Sequence, residues 1–208
     1  MKNPLYPLLS LVLLMACQRG PGPAAASDDR ARQFAEKHFR QGNRHYEAKD
    51  YPEAIRAYGQ ALAAWPRLAA AWLNRGNARF RTRDLAGAIA DFDQALRLTP
   101  DRADALYNRA TARFDRGDYA GAVADYTDAL RLMPQRTDAL YNRGSAYYKL
   151  QKFSRALADF DRLLAARPTL AAAYHYRARI RYALHDDEGA RADLRQANSL
   201  TVNPLGNP

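Results

Sequence analysis

Residues 103–136 read ADALYNRATARFDRGDYAGAVADYTDALRLMPQR, and their reading decides the fold. Ala103 to Arg116 is an amphipathic run in which apolar groups return at helical spacing. Gly117 and Asp118 interrupt it, and Tyr119 to Leu132 forms a second run that stops before Pro134. Glycine suits the left-handed conformation that ends a helix, and proline cannot continue one. The stretch therefore predicts a helix, a tight turn and a second helix folded back on the first.

The same unit recurs on both sides. Pro66, Pro100, Pro134 and Pro168 stand 34 residues apart. Asn74-Arg75-Gly76, Asn108-Arg109-Ala110 and Asn142-Arg143-Gly144 keep that step, as do Ala54, Ala88, Ala122, Ala156 and Ala190. Composition agrees: the chain has 42 alanines but only three valines and three isoleucines, which favours helices and disfavours sheets. The expected fold is all-α, with about five antiparallel helix pairs in series.

These residues resemble the tetratricopeptide repeat (TPR) family, which implies that the helix pairs stack into a right-handed α-solenoid. Its small residue at position 8, alanines at 20 and 27, aromatic at 24 and proline at 32 are met in the second unit by Gly76, Ala88, Ala95, Phe92 and Pro100. Five repeats are expected at 35–68, 69–102, 103–136, 137–170 and 171–204, within a TPR domain spanning 28–202 and followed by a tail at 203–208. The fourth unit departs from the pattern with Leu163 at position 27. The last departs with Asp187 at position 17 and Val202 at position 32, as expected of a water-facing terminal repeat.

The resemblance implies a groove lined by the first helix of each repeat, and a protein or peptide segment as its ligand. Position 6 supplies Asn74, Asn108 and Asn142, and position 9 supplies Asn43 and Asn77. An amide offers both donor and acceptor to an extended backbone; the other reading of these asparagines is that they satisfy neighbouring helix backbones. Leu73, Tyr107 and Tyr141 at position 5 add apolar area. At position 12, Tyr46, Phe80, Phe114, Tyr148 and Tyr182 serve either the ligand or the packing between repeats. The paired lysine and arginine clamp by which some family members hold a C-terminal carboxylate is missing, since positions 2 and 5 hold Asp104 or Asp138 and Phe39 or Leu73.

The formal net charge is +10, carried almost wholly by arginine. Arginine recurs at position 7 (Arg75, Arg109, Arg143, Arg177) and aspartate at position 23 (Asp91, Asp125, Asp159, Asp193), and the first repeat lacks both, with Gln41 and Ala57. This joint absence predicts ion pairs within each repeat. The groove positions nearly balance, which places the basic surplus elsewhere, including Arg79, Arg113 and Arg181 at position 11. A basic outer face suggests a second occupant, an anionic envelope lipid or glycan; a further alternative is a non-catalytic subunit of an envelope enzyme complex. No phosphate loop, HExxH, GxSxG or CxxC motif occurs, and the four histidines have no recurring ligand spacing. No enzyme activity, metal or cofactor is expected.

At the N-terminus Lys2 precedes an apolar run from Leu8 to Ala16 that is too short for a spanning helix, which needs about 20 residues. It reads as the apolar region of a secretion signal. Leu14-Met15-Ala16-Cys17 resembles the lipobox of bacterial lipoproteins, and Cys17 is the only cysteine in the chain. The expectation is a signal peptide at 1–16, lipidation of Cys17, and a Gly/Pro/Ala tether at 17–27. The resemblance implies a lipid-anchored protein of the bacterial cell envelope, at the periplasmic face of the outer membrane in a diderm. Nucleic acid is not an expected partner.

Overall fold

A computed structural model describes residues 23–202, which form ten helices and no strand. The helices are α1 (Pro23–Glu47), α2 (Tyr51–Ala64), α3 (Ala69–Arg81), α4 (Leu85–Leu98), α5 (Ala103–Asp115), α6 (Tyr119–Leu132), α7 (Thr137–Lys149), α8 (Phe153–Ala166), α9 (Ala171–Ala183) and α10 (Asp187–Val202). They pair as α1/α2 through α9/α10, in the five units expected. The signal segment, Cys17 and the tail at 203–208 lie outside the described residues.

Helix α1 begins at Pro23, five residues inside the stretch read as a tether. Proline is pre-set for the first helical position and the alanines that follow are the strongest helix formers. Only 18–22 remains between the cysteine and the helix.

Each pair closes through a small residue. A Cβ on Gly42, Gly76 or Gly144 would come within 2.5, 2.6 and 2.8 Å of the rings of Tyr58, Phe92 and Phe160. The first helix thus lies directly on the position 24 aromatic, and Tyr58, Phe92, Tyr126 and Phe160 are among the most completely buried side chains. The turn uses a left-handed residue at position 15 in every repeat: Lys49, Arg83, Gly117, Gln151 and His185. Only the third repeat spends a glycine there. In three repeats the next residue, Asp84, Asp118 or Asp186, caps the following helix by accepting the N–H of Gly87, Gly121 or Gly189 at 2.9 Å.

Stacking between units is asymmetric. First helices of neighbouring repeats approach with Cα atoms within 8 Å, whereas no two second helices do. The first helices therefore form the inner, concave side. At positions 3 and 10 the later repeats bury Ala71 and Ala78, Ala105 and Ala112, Ala139 and Ala146, and Ala173 and Ile180 against the preceding unit. The first repeat carries exposed Lys37 and Arg44 at those positions, and the last carries exposed Arg191 and Asn198 where the others have apolar groups at 21 and 28. Both ends are closed by polarity.

The ion pairs form within each repeat. Arg75, Arg109, Arg143 and Arg177 grip Asp91, Asp125, Asp159 and Asp193 in two-point fashion, at 2.6–2.9 Å. Each aspartate is at most 3% exposed. Two of the arginines also tie repeats together, Arg109 reaching Asp93 at 2.6 Å and Arg177 reaching Asp161 at 2.8 Å. Between the third and fourth repeats the equivalent group is Thr127, whose hydroxyl accepts from Arg143 Nη1 at 3.1 Å. Thr127→Asp is expected to raise stability by about 0.5 kcal/mol, as a partly exposed pair does. Thermal unfolding checks this, with a midpoint gain of about 1–2 °C; an unchanged or lower midpoint would show that the third junction gains nothing from charge.

Candidate functional site

The asparagines of the concave face bond to side chains of the neighbouring repeat, not to helix backbones. Asn74 donates from Nδ2 to Asn43 Oδ1 at 2.9 Å, and one repeat further Asn108 donates to Asn77 Oδ1 at 2.8 Å. In the second and third repeats position 6 thus meets position 9 of the unit before, forming a rung. In the first rung Tyr58 also donates its hydroxyl to Asn43 Oδ1 at 2.8 Å, filling that oxygen's second lone pair. Burial pushes the Tyr58 hydroxyl up to about 12 despite the Asn74 amide beside it, so it stays a donor at any physiological pH. By inventory the Asn43 NH2 and the Asn74 carbonyl are left for a ligand.

Each rung borders a cleft. Asn43, Asn74 and Asn77 line one of about 270 Å³ together with Tyr46, Glu47 and Tyr58. Asn77 and Asn108 line the next, of about 310 Å³, with Tyr46, Phe80, Arg81 and Tyr107. Tyr46 and Asn77 are common to both, so the clefts run on from one another along the first three repeats. Arg81 lies against the Tyr46 hydroxyl, whose hydrogen bond raises the guanidinium pKa further.

Beyond the third repeat the groove changes character. Position 9 becomes Thr111, which is engaged with Tyr126 OH at 3.0 Å, and Asn142 donates to Tyr107 OH at 2.9 Å instead. In the fifth repeat Tyr176 replaces the asparagine. It stacks on Phe160 with centroids 5.5 Å apart and meets Tyr141 edge-on at 5.3 Å. Burial, with the Tyr176 phenol next to it, raises the Tyr141 pKa. Arg179 lies over the rings of Tyr148 and Tyr176, at 5.1 and 5.6 Å. Aromatic packing fills this half of the groove, and the open amide rungs belong to the N-terminal half.

Three sequence assignments change. Leu73 is 5% exposed and lies in the apolar cluster with Ala88 and Phe92, so it is core and not groove surface. Tyr107 and Tyr141, longer side chains at the same position, remain half-buried. Position 12 packs chiefly within its own repeat: Tyr46 on Tyr51, Phe114 on Tyr119 and Tyr148 on Phe153, with centroids 5.2–5.6 Å apart. Tyr182, opposite Asp187, is left 42% exposed. Arg79, Arg113 and Arg181 do not belong to a basic outer face, since they close on Asp91, Asp125 and Asp193 at 3.0, 2.8 and 3.0 Å. Sequence reasoning missed the polar role of Tyr58; its signal is that position 24 is tyrosine in the first and third repeats, where Tyr58 and Tyr126 both reach the position 9 side chain of their own repeat.

The tetratricopeptide repeat family model matches residues 39–103, 77–137, 107–171 and 141–199. The chain belongs to that family. Among solved structures it is similar to MamA from Desulfovibrio magneticus RS-1, at 16% identity and a TM-score of 0.79 over 83% of this chain and 97% of that one. It is also similar to YrrB, described as a TPR protein with an unusual peptide-binding site, at 20% identity and 0.73 over 81% and 86%. The first TPR of Spaghetti (RPAP3), bound to the HSP90 peptide SRMEEVD, aligns at 28% identity and 0.57 over 58% and 95%. At 16–20% identity the first two likenesses speak to the fold. No curated protein matches the chain. Among the described residues no group of three or more His, Cys, Asp or Glu could hold a metal ion.

Proposed function

We propose that this protein is a non-catalytic adaptor of the bacterial envelope, anchored through lipid on Cys17, that captures an extended segment of a partner protein in the N-terminal half of its groove. The observation that carries the capture is the pair of amide rungs, Asn43 with Asn74 and Asn77 with Asn108, opening on two contiguous clefts. An extended backbone presents N–H and C=O groups in alternation, and an amide is the neutral side chain able to answer both. Solved relatives with peptide ligands or a peptide-binding site support the same class of partner. The lipobox reading and the proximity of α1 to Cys17 support the tether: six residues from Cys17 to Pro23 reach at most about 20 Å.

Asn74→Ala combined with Asn108→Ala is expected to weaken capture at least tenfold, since two ligand-facing hydrogen bonds at about 1 kcal/mol each are lost. The rungs are half-buried and neutral, so the melting temperature should move by only a few degrees. Crosslinking in native envelopes, followed by identification of the captured protein, reads the result. Undiminished crosslinking to the same protein in the double variant would sink the groove.

A further inference from the structure

We propose that the groove reads charge order, taking a segment of polyproline II type that carries oppositely charged side chains three residues apart. This rests on the groove reading above and adds what the captured segment must carry. Position 13 holds Glu47, Arg81, Asp115 and Lys149, alternating in sign at each 34-residue step. Asp115 is engaged by Arg83 at 2.8 Å. Glu47 and Arg81 are exposed, and no ion pair among the described residues joins either to a partner or to each other. Glu47 borders the first cleft and Arg81 the second. The two open clefts are therefore chemically alike in their amides and opposite in their charge.

The spacing selects the conformation of the ligand. Packed helices lie about 8–10 Å apart, and neighbouring first helices approach here to Cα separations within 8 Å. A polyproline II helix has three residues per turn and rises about 3.1 Å per residue, so side chains i and i+3 share an edge about 9 Å apart. In a β-strand, residues three apart point to opposite faces, and those two apart are only about 6.7 Å distant. A polyproline II backbone also makes no hydrogen bonds of its own. Its amides need outside partners, and the rungs supply them at the same step as the charges. Phe80 and Tyr107, on the wall of the second cleft, suit the apolar residues between the charges.

The test uses fluorescently labelled short peptides with degenerate flanks around three cores: Lys-Pro-Ala-Asp, Asp-Pro-Ala-Lys and the neutral Gln-Pro-Ala-Asn. Binding to the full-length protein is followed by anisotropy. The wild type is expected to prefer one charge order over the other by about tenfold, because the wrong order replaces two attractions by two repulsions. Glu47→Arg combined with Arg81→Glu should invert the preference, and high salt should flatten it. Both residues are exposed, and circular dichroism melting confirms that the swapped variant is folded. Equal binding of all three peptides overturns charge reading while leaving the groove in place. A preference that the swap does not invert overturns the assignment to Glu47 and Arg81. Failure of every peptide to bind the wild type counts against the groove itself.

Discussion

Asp125→Ala is expected to be among the most destabilising single substitutions in the solenoid, at about 3 kcal/mol. The Asp125 side chain is 4% exposed and accepts from Arg109 Nε and Nη2 at 2.9 and 2.7 Å and from Arg113 Nη1 at 2.8 Å. Burial alone would depress the Arg109 pKa, but the hydrogen bonds from Asp125 and Asp93 outweigh it and hold the guanidinium charged. Without Asp125 two cations stand side by side, only 18% and 23% exposed, with Asp93 as the remaining carboxylate on Arg109. The low end of the range for breaking a buried pair applies, because both guanidinium groups retain some access to water. For a domain of this size the midpoint should fall by about 6–12 °C. Since Asp125 sits in the middle repeat, denaturant unfolding should also lose cooperativity, with the flanking repeats separating into distinct transitions. Asp128→Ala is the control: its 4.0 Å pair with Arg131 is 56% and 64% exposed and should be worth almost nothing. A midpoint for Asp125→Ala within a degree of the wild type would mean that the arginines find water without cost.

That pair was legible from residue identity alone because it is a same-repeat contact, and a rigid unit repeated five times shows its internal couplings as co-occurrence. Gln41 and Ala57 depart together in the first repeat, and no superhelical geometry is needed to read why. The asparagine rungs were only half legible. Their register at positions 6 and 9 could be counted, but whether position 6 meets the unit before or after depends on the rotation between units, which no single repeat encodes. Leu73 misled for a related reason: position 5 lies at the boundary of core and groove, and there the length of the side chain decides. Leucine stops among Ala88 and Phe92, while tyrosine extends past them. The turn was misread in a third way. Gly117 suggested a glycine-coded break, yet Lys49, Arg83, Gln151 and His185 adopt the same left-handed conformation at φ 57–67°. The strain of a side chain there is tolerated because the antiparallel pair already fixes the backbone on either side.

The surplus of positive charge looks different once the pairs are placed. Seven of the arginines, at positions 7 and 11, converge on only four aspartates inside the stack. Part of the surplus, three more arginines than aspartates, therefore lies inside the stack rather than on an outer face. Exposed cations remain at the two ends, Lys37 and Arg44 on the first helix and Arg191 and Arg195 on the last. Like charges on both ends oppose head-to-tail stacking of copies, which a solenoid with apolar ends would invite.

Those exposed cations matter to the second large prediction, which separates two ways of holding a membrane. On the proposed reading Cys17→Ala abolishes incorporation of an alkyne-labelled fatty acid, and the product keeps the mass of residues 1–16. Lipid attachment contributes about 0.8 kcal/mol per buried CH2, so no exposed salt bridge or surface charge can substitute for the acyl chains. No described helix is long and apolar enough to cross a membrane, and the exposed cations of the repeats offer electrostatic adhesion. Exporting residues 18–208 behind a cleavable signal from a secreted protein should therefore move nearly all the chain from the membrane pellet to the soluble fraction. Surface adhesion through Lys37, Arg44, Arg191 and Arg195 predicts the opposite at low salt and release at high salt, because screening shortens the reach of exposed charges to a few ångströms near 1 M. A chain that incorporates no fatty acid with Cys17 intact would overturn the lipid anchor, and one that stays with the membrane in high salt without the cysteine would show that neither the cysteine nor the basic ends hold it there.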